Sequence, residues 1–257
     1  MRYFSICSLL ATSMVIGNPE SAMVSAGTAS IEKINATDLH IKASDRAVID
    51  WKSFSIAKGE TTRFFQPSSS SIVLNRVLGD EISSLMGSLH AQGKVFLVNP
   101  HGMIVGKDAV IETAGFLMTT FDISNKTFFD GGEMLLKGDS TEAIVHLGTI
   151  RAIEGDVILV ARQIEQHGQI EAPQGSVSIA AAAEVLLQPE GKTLLAIRPQ
   201  LSERLGVTAL ENTGVMEVPS LWVCVIQEQS TLSPLSKQRA GCCSALKMRL
   251  WNPAERL

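Results

Sequence analysis

Few side chains in this sequence are placed to do chemistry. Five histidines, His40, His90, His101, His146 and His167, offer imidazoles for proton transfer or metal binding. They do not cluster at the short spacings that hold zinc. His146 and His167 stand near equivalent places in two related segments, which predicts a ladder on the surface rather than a metal centre. Asp45, Asp50, Asp80 and Asp122 are the kind of carboxylates a glycan-cleaving groove needs, one to donate a proton and one to attack or activate water. They are scattered along the chain. No serine or cysteine nucleophile has a histidine in a recognisable setting. Gly131-Gly132 lacks the strand and helix that flank a phosphate loop. The expectation is a chain without a catalytic centre, a metal or a cofactor. One motif is built for geometry instead. In Asn99-Pro100-His101-Gly102, Asn-Pro opens a turn, the proline ring holds φ at about −65°, and the glycine closes it.

The elements around these residues repeat. Gly148-Thr-Ile-Arg-Ala-Ile-Glu-Gly-Asp-Val-Ile-Leu-Val-Ala161 is followed by Gly168-Gln-Ile-Glu-Ala-Pro-Gln-Gly-Ser-Val-Ser-Ile-Ala-Ala181, an offset of 20 residues. Gly148/Gly168, Ile150/Ile170, Ala152/Ala172, Gly155/Gly175, Val157/Val177 and Ala161/Ala181 are identical pairs. Gly87 to Val98 carries the same theme with one residue fewer between its glycines, and Gly214-Val-Met-Glu-Val218 begins it again. Ile150 and Ala152, then Val157 and Leu159, fall at alternate positions, the period of a strand with one face buried. Gly155 and Gly175 mark corners that need a positive φ or a close backbone approach. One such unit cannot bury its own apolar face, but stacked copies can, as in a β-solenoid. Helical periodicity is weak. Glu184 to Pro189 could start a helix but ends at once, while Leu194–Ile197 and Val207–Leu210 read as strands.

Composition agrees. The chain is 45% hydrophobic but only 5% aromatic, which suits a thin core of stacked aliphatic residues. The net charge is −4 with no long basic run, so a nucleic-acid partner is not expected. Residues 1–17 read as a signal peptide. Arg2 supplies the charge, Tyr3 to Ile16 the apolar stretch, and Val15 and Gly17 the small residues before a cut between Gly17 and Asn18. A second cut could follow Ala26. The body from Ser8 to Val223 has no cysteine. After Pro219 the rhythm is lost, and Ser220–Leu257 holds Cys224, Cys242 and Cys243. That stretch reads as a degenerate tail, a shifted reading frame or a short interaction segment.

Five ordered blocks carry a family resemblance. They are Ala47-Val-Ile-Asp-Trp-Lys-Ser-Phe-Ser-Ile56, Thr62-Arg-Phe-Phe-Gln-Pro67, Asn75-Arg-Val-Leu-Gly79, Gly87 through Gly102, and Gly115-Phe-Leu-Met-Thr-Thr-Phe-Asp-Ile123. This run resembles the haemagglutination-activity, or two-partner-secretion, domain of exported bacterial adhesins such as filamentous haemagglutinin. The resemblance covers about residues 18–219 and favours the cut after Gly17. It implies an all-β, right-handed parallel β-helix with an N-terminal cap and small extra-helical β elements. It further implies export by the Sec machinery, recognition of the unfolded chain in the periplasm by an outer-membrane barrel transporter, folding at the cell surface, and a host or neighbouring-cell surface as a later partner. Asn75, Arg76, Asn99, Pro100, His101 and Gly102 are then the candidates for transporter recognition or for nucleating the fold. The structural alternative is that Asn75 bonds backbone within a coil, Arg76 pairs with a carboxylate, and the second motif simply turns the chain. The family commonly has Asn-Pro-Asn-Gly where this chain has Asn-Pro-His-Gly, which puts any role of the third side chain in doubt. Members are usually much longer, so a remnant that has lost its adhesive region is a second reading, and a β-helix glycan-binding protein or enzyme a third.

Overall fold

A computed structural model of the chain describes residues 17–187, 189–190, 193–194, 198–199, 209–218 and 220–225. Three long sheets share one winding path. Sheet A runs, in order of contact, β1 (Glu20–Ala26), β4 (Ala47–Ser53), β6 (Ile72–Val77), β9 (Lys94–Val98), β12 (Gly115–Thr119), β16 (Val157–Ala161), β19 (Ser176–Ala181) and β26 (Ser220–Val225). Sheet B runs β2 (Ala29–Lys33), β3 (Asp38–Ala43), β5 (Thr61–Phe65), β8 (Ser88–Ala91), β11 (Val110–Thr113), β15 (Thr149–Ala152), β18 (Gln169–Glu171) and β25 (Val215–Glu217). Sheet C runs β7 (Ser83–Leu85), β10 (Met103–Val105), β14 (Ala143–His146), β17 (Gln163–Gln166) and β24 (Ala209–Asn212). Outside these lie β13 (Met134–Lys137), β20 (Glu184–Leu187) and β23 (Arg198–Pro199) in one small sheet, and β21 (Pro189–Glu190) with β22 (Thr193–Leu194) in another.

Each full coil visits sheets C, B and A in turn, and the chain then steps to the next coil. The result is the expected right-handed parallel β-helix, of about six turns. The offset of 20 read from the repeat is the physical register, since Ile150 pairs with Ile170 and Val157 with Val177. Gly175 is a point of close approach, where a Cβ would lie 2.1 Å from the Gly155 carbonyl oxygen. The Glu184 to Pro189 stretch is strand rather than helix at β20. The stacking also continues past Pro219, where β26 lies parallel to β19. The remaining residues after Val225, like residues 1–16 of the expected signal peptide, lie outside the described residues.

The stack begins with two antiparallel strands, β1 against β4 and β2 against β3, and is parallel from there through sheets A, B and C. The interior is a column of aliphatic side chains such as Ile41, Leu89, Ile111, Ile150 and Ile170 on sheet B, faced by Ile49, Val95, Leu97, Val157 and Ile179 on sheet A. Each such residue contributes roughly 1.5–3 kcal/mol when fully buried.

Two insertions break the regular coil length. Val110 pairs with Thr149, and Gln169 with Val215, steps of 39 and 46 residues in place of 20. The first insertion carries the six-residue helix α1 (Asn125–Asp130) and β13, and the second carries β20. Both leave the stack after sheet A. They meet as antiparallel partners, Leu136 opposite Val185. Together they lie over the outer face of sheet A and enclose a second core. Val48, Leu74, Phe96, Leu117, Ile158 and Val160 come from the sheet, and Phe128, Met134, Leu136, Val185 and Leu187 from the insertions.

Candidate functional site

Asn75 and Arg76 are neighbours on β6, so their side chains leave opposite faces of sheet A. Asn75 points inward, between Ile49 of the preceding coil and Leu97 of the next. It is fully buried. Its Oδ1 accepts the Trp51 indole N–H at 3.0 Å, and its Nδ2 donates to the Phe96 carbonyl at 3.4 Å. The only polar side chain in that column thus supplies an acceptor for the largest ring in the core, whose donor would otherwise be buried unpaired. Trp51 in turn meets Phe54 edge to face at 5.5 Å.

Arg76 points outward and gathers parts distant in sequence. Its Nε donates to Asp122 Oδ1 at 2.7 Å and its Nη1 to Asp50 Oδ1 at 3.1 Å. Its Nη2 donates to the Ile123 carbonyl at 2.8 Å and to Asn125 Oδ1 at 2.9 Å. Asp50 also accepts the Ser25 hydroxyl from β1. The planar guanidinium presents its donors in a fixed fork, which suits it to several acceptors at once. Two of the four acids that could have lined a catalytic groove, Asp50 and Asp122, are therefore consumed by one arginine. A third, Asp45, accepts the Ile72 backbone N–H at 2.9 Å.

The Asn-Pro-His-Gly turn follows directly on β9, whose Val98 pairs with Arg76. Asn99 is fully buried. Its Nδ2 donates to the Glu81 carbonyl at 3.0 Å and to Ser83 Oγ at 2.9 Å, both on the preceding coil. Its Oδ1 accepts the His101 backbone N–H at 2.9 Å, and its own N–H donates to Thr119 of the following coil at 3.1 Å. The Gly102 N–H closes the turn on the Asn99 carbonyl at 3.2 Å. Gly102 has φ of 91°, and a Cβ there would come within 3.0 Å of the Ala143 carbonyl oxygen. The Pro100 carbonyl accepts the Ser140 hydroxyl from the first insertion. His101 itself is exposed, and the turn uses only its backbone. The departure from asparagine at this position therefore leaves the turn's bonds intact.

Asn18, the residue after the expected cut, is buried. Its Nδ2 donates to the Thr37 carbonyl at 3.1 Å, and its Oδ1 accepts from Thr62 Oγ1 at 2.9 Å. Gly17, on the other side of that cut, is partly buried.

The histidine ladder expected on the surface is not there. His146 pairs in register with Gln166, not His167, because the offset of 20 holds and the two histidines are 21 apart. His146 faces the interior, fully buried, with its Nδ1 against Gln166 Oε1 and its Nε2 without a hydrogen-bond partner. Burial pushes its pKa down to about 4, so the ring is neutral at pH 7. His167 lies at the corner and contacts Thr213 Oγ1 at 2.6 Å. The sequence reading also missed the Arg46 contact to the Phe128 carbonyl and the part Asn125 plays at Arg76. Neither has a signal in spacing, since each joins the first coils to the insertion.

Nothing in these clusters sets a nucleophile beside a base. What they do is join coils. Asn75 links three successive strands, Arg76 ties the cap to α1, and Asn99 pins a corner from both sides.

Comparison with known proteins identifies a family. The family model described as TPS secretion domain matches residues 18–216. Two heme/hemopexin-binding proteins of Haemophilus influenzae are similar, one 46% identical over 98 residues and the other, from strain KW20, 31% identical over 162. Those matches cover 38% and 60% of this chain but only 11% and 18% of the relatives. Among solved structures, the HMW1 secretion domain of Haemophilus influenzae superposes with a TM-score of 0.73 at 30% identity, covering 81% of this chain and 56% of that one. The filamentous hemagglutinin secretion domain superposes at 0.54 with 16% identity, covering 81% and 80%, a likeness of fold. With a family match over most of its length and both polar motifs serving the same coil geometry, this chain belongs to the TPS secretion-domain family, and its function is that of a secretion domain of a two-partner-secretion exoprotein.

Proposed function

We propose that residues 18–219 act as the export address of this chain, read before they fold. The family implies an outer-membrane transporter as partner. On our reading, the Sec machinery delivers the chain to the periplasm, a cut between Gly17 and Asn18 frees the N-terminus, and the barrel transporter engages the still-unfolded segment. A cut after Ala26 would instead remove β1 and its Ser25 contact with Asp50. The observation that carries the reading is the burial of Asn75 and Asn99. Neither side chain is accessible once the coils stack, so any recognition of them belongs to the unfolded chain, and their folded role is to fasten coils. Passage and folding are then one process, in which each coil added outside buries aliphatic surface at about 25 cal/mol per Å². We assign no catalytic step to the domain, and we take its destination to be the cell surface or medium, where a host or neighbouring cell is the partner.

The test is export in a Gram-negative host with and without a matching barrel transporter, probing the medium, surface and periplasm. Transporter-dependent appearance outside supports the reading, and removal of residues 18–124 should abolish it. Periplasmic retention beside a competent transporter, or export without one, would overturn it. Asn99→Ala should cut export several-fold while His101→Ala leaves it unchanged. A second reading concerns what is exported. The 46% identity to a heme/hemopexin-binding protein favours ligand capture over adhesion as the output of the exoprotein. Binding of hemin or hemopexin by the exported product, measured against adherence to cells, separates the two.

A further inference from the structure

We propose that the two insertions form a strap that closes over sheet A as a separate unit after the solenoid has stacked. The inference adds an order of events to the export reading and rests on it only for the direction in which the chain emerges. The outer face of sheet A is apolar along much of its length, with Val48, Leu74, Phe96, Leu117 and Ile158 in line from coil to coil. It is covered by segments that come much later in the chain. The first insertion docks α1 through Phe128, which meets Phe96 edge to face at 6.0 Å. Two arginines of the first coils hold its ends. Arg76 takes Asp122, Ile123 and Asn125, and Arg46 takes the Phe128 carbonyl.

β13 has no strand partner in the coils beside it. Among the described residues its one strand partner is β20, with Met134 opposite Leu187 and Lys137 opposite Glu184, and within its own insertion Lys137 bridges Asp122. Between them the chain must complete β14 to β19, two whole coils. An isolated strand over an apolar face is marginal in water, and two-stranded pairing becomes stable only with packing behind it. The strap therefore latches only when Leu187 is in place. Until then the α1 segment is held by its arginines while the face beyond it stays open. The coil completed just before the second insertion closes through local steps of 20 residues, whereas the strap waits for a pairing across 47 to 53 residues, the slower class of contact. The arrangement makes the strap a late-closing lid, weaker than the stack beneath it.

Native-state hydrogen exchange on the full purified chain tests this. The backbone amides of β13 and β20 should exchange at least about tenfold faster than those of β15 and β18, as expected for a separately opening unit. The second measurement uses Val185→Asp, which places a carboxylate in the strap's core. That variant should keep its β-sheet circular dichroism and the protection of β15 and β18, lose protection in β13, and bind a hydrophobic dye several-fold more strongly. Equal exchange of strap and solenoid in the unaltered chain would overturn the proposal. So would loss of the whole fold in Val185→Asp, since that would make strap and solenoid one cooperative unit. Either result leaves the export reading standing, because that reading is decided by appearance outside the cell and not by exchange.

Discussion

Sheets A and B have the same strand order and rise through the same coils, yet they live in different surroundings. Sheet B is buried on its inner face alone. On its outer face Glu32, His40, Arg63, His90, Glu112, Arg151, Glu171 and Glu217 fall in register, one from each strand. Arg151 there pairs with Glu171 at 2.7 Å and with Glu112 at 3.6 Å. From β6 to β19 sheet A is buried on both faces, and β12 and β16 have no exposed residue. A strand with one wet face alternates, and a strand with two dry faces reads as a continuous apolar run. The contrast separates what every coil needs, an aliphatic inner column, from what only this architecture adds, a second core under a strap.

Introducing a charge gives the largest effect. Leu117→Asp puts a carboxylate into the second core between Phe96 and Ile158 and should cost on the order of 4 kcal/mol in urea unfolding. If that variant were as stable as the parent, the outer face of sheet A would not be a core at all. Sheet C provides a test of the inner column by pH. The row through His146 is Val105, Gln166 and Asn212, with no ionisable neighbour. Its folded pKa of about 4 lies below the ordinary 6.5, so the unfolded chain takes up the proton first. The stability conferred by the neutral ring is complete above pH 6.5 and is lost as pH falls from there toward 4, on the order of 3 kcal/mol. His146→Gln should flatten the unfolding midpoint across that window, and an unchanged acid dependence would remove His146 from the account.

Asn75→Leu comes next. It leaves the Trp51 N–H buried without its acceptor and should destabilise the chain by about 2 kcal/mol, visible as a lower urea midpoint at unchanged slope. An equal loss in a variant that also replaces Trp51 with phenylalanine would show that the hydrogen bond is not the cause. The smallest effect belongs to the outer face of sheet B. Arg151→Ala should leave the midpoint where it is, with any difference from the parent vanishing in high salt. A clear salt-independent shift would mean that this face is as structural as its counterpart, and the contrast between the sheets would fail.

The solenoid was legible in the chain because its information is local and repeated. The identities between Gly148–Ala161 and Gly168–Ala181 are contacts between neighbouring coils, and the offset that aligns them is the register of β15 on β18 and β16 on β19. The second core was much less legible. Alternation marks Val157 and Leu159 as the buried positions of a half-buried strand, but Ile158 and Val160 are buried as well. The continuous run Val-Ile-Leu-Val-Ala was the available signal. α1 is too short to show a helical period, and β13 finds its partner about 50 residues away with no repeat to announce it. The polar motifs were recognised as words without their grammar. Asn75 and Arg76 are adjacent in sequence and act in different compartments, one inside the stack and one outside it.

The antiparallel cap described at the start of the stack has a consequence for association. A parallel β-helix offers unpaired backbone at each end, and such an edge is a template for another chain. Here β1 and β2 cross the first coil in the opposite direction, with mostly exposed side chains. A second molecule stacked in the same sense from that side would meet strands of opposite direction on sheets A and B. The cap gives sheets A and B a first strand that runs against the rest of the stack. The pairing that stacks coil on coil within one molecule is thus not offered to another molecule's coil at the start of sheets A and B.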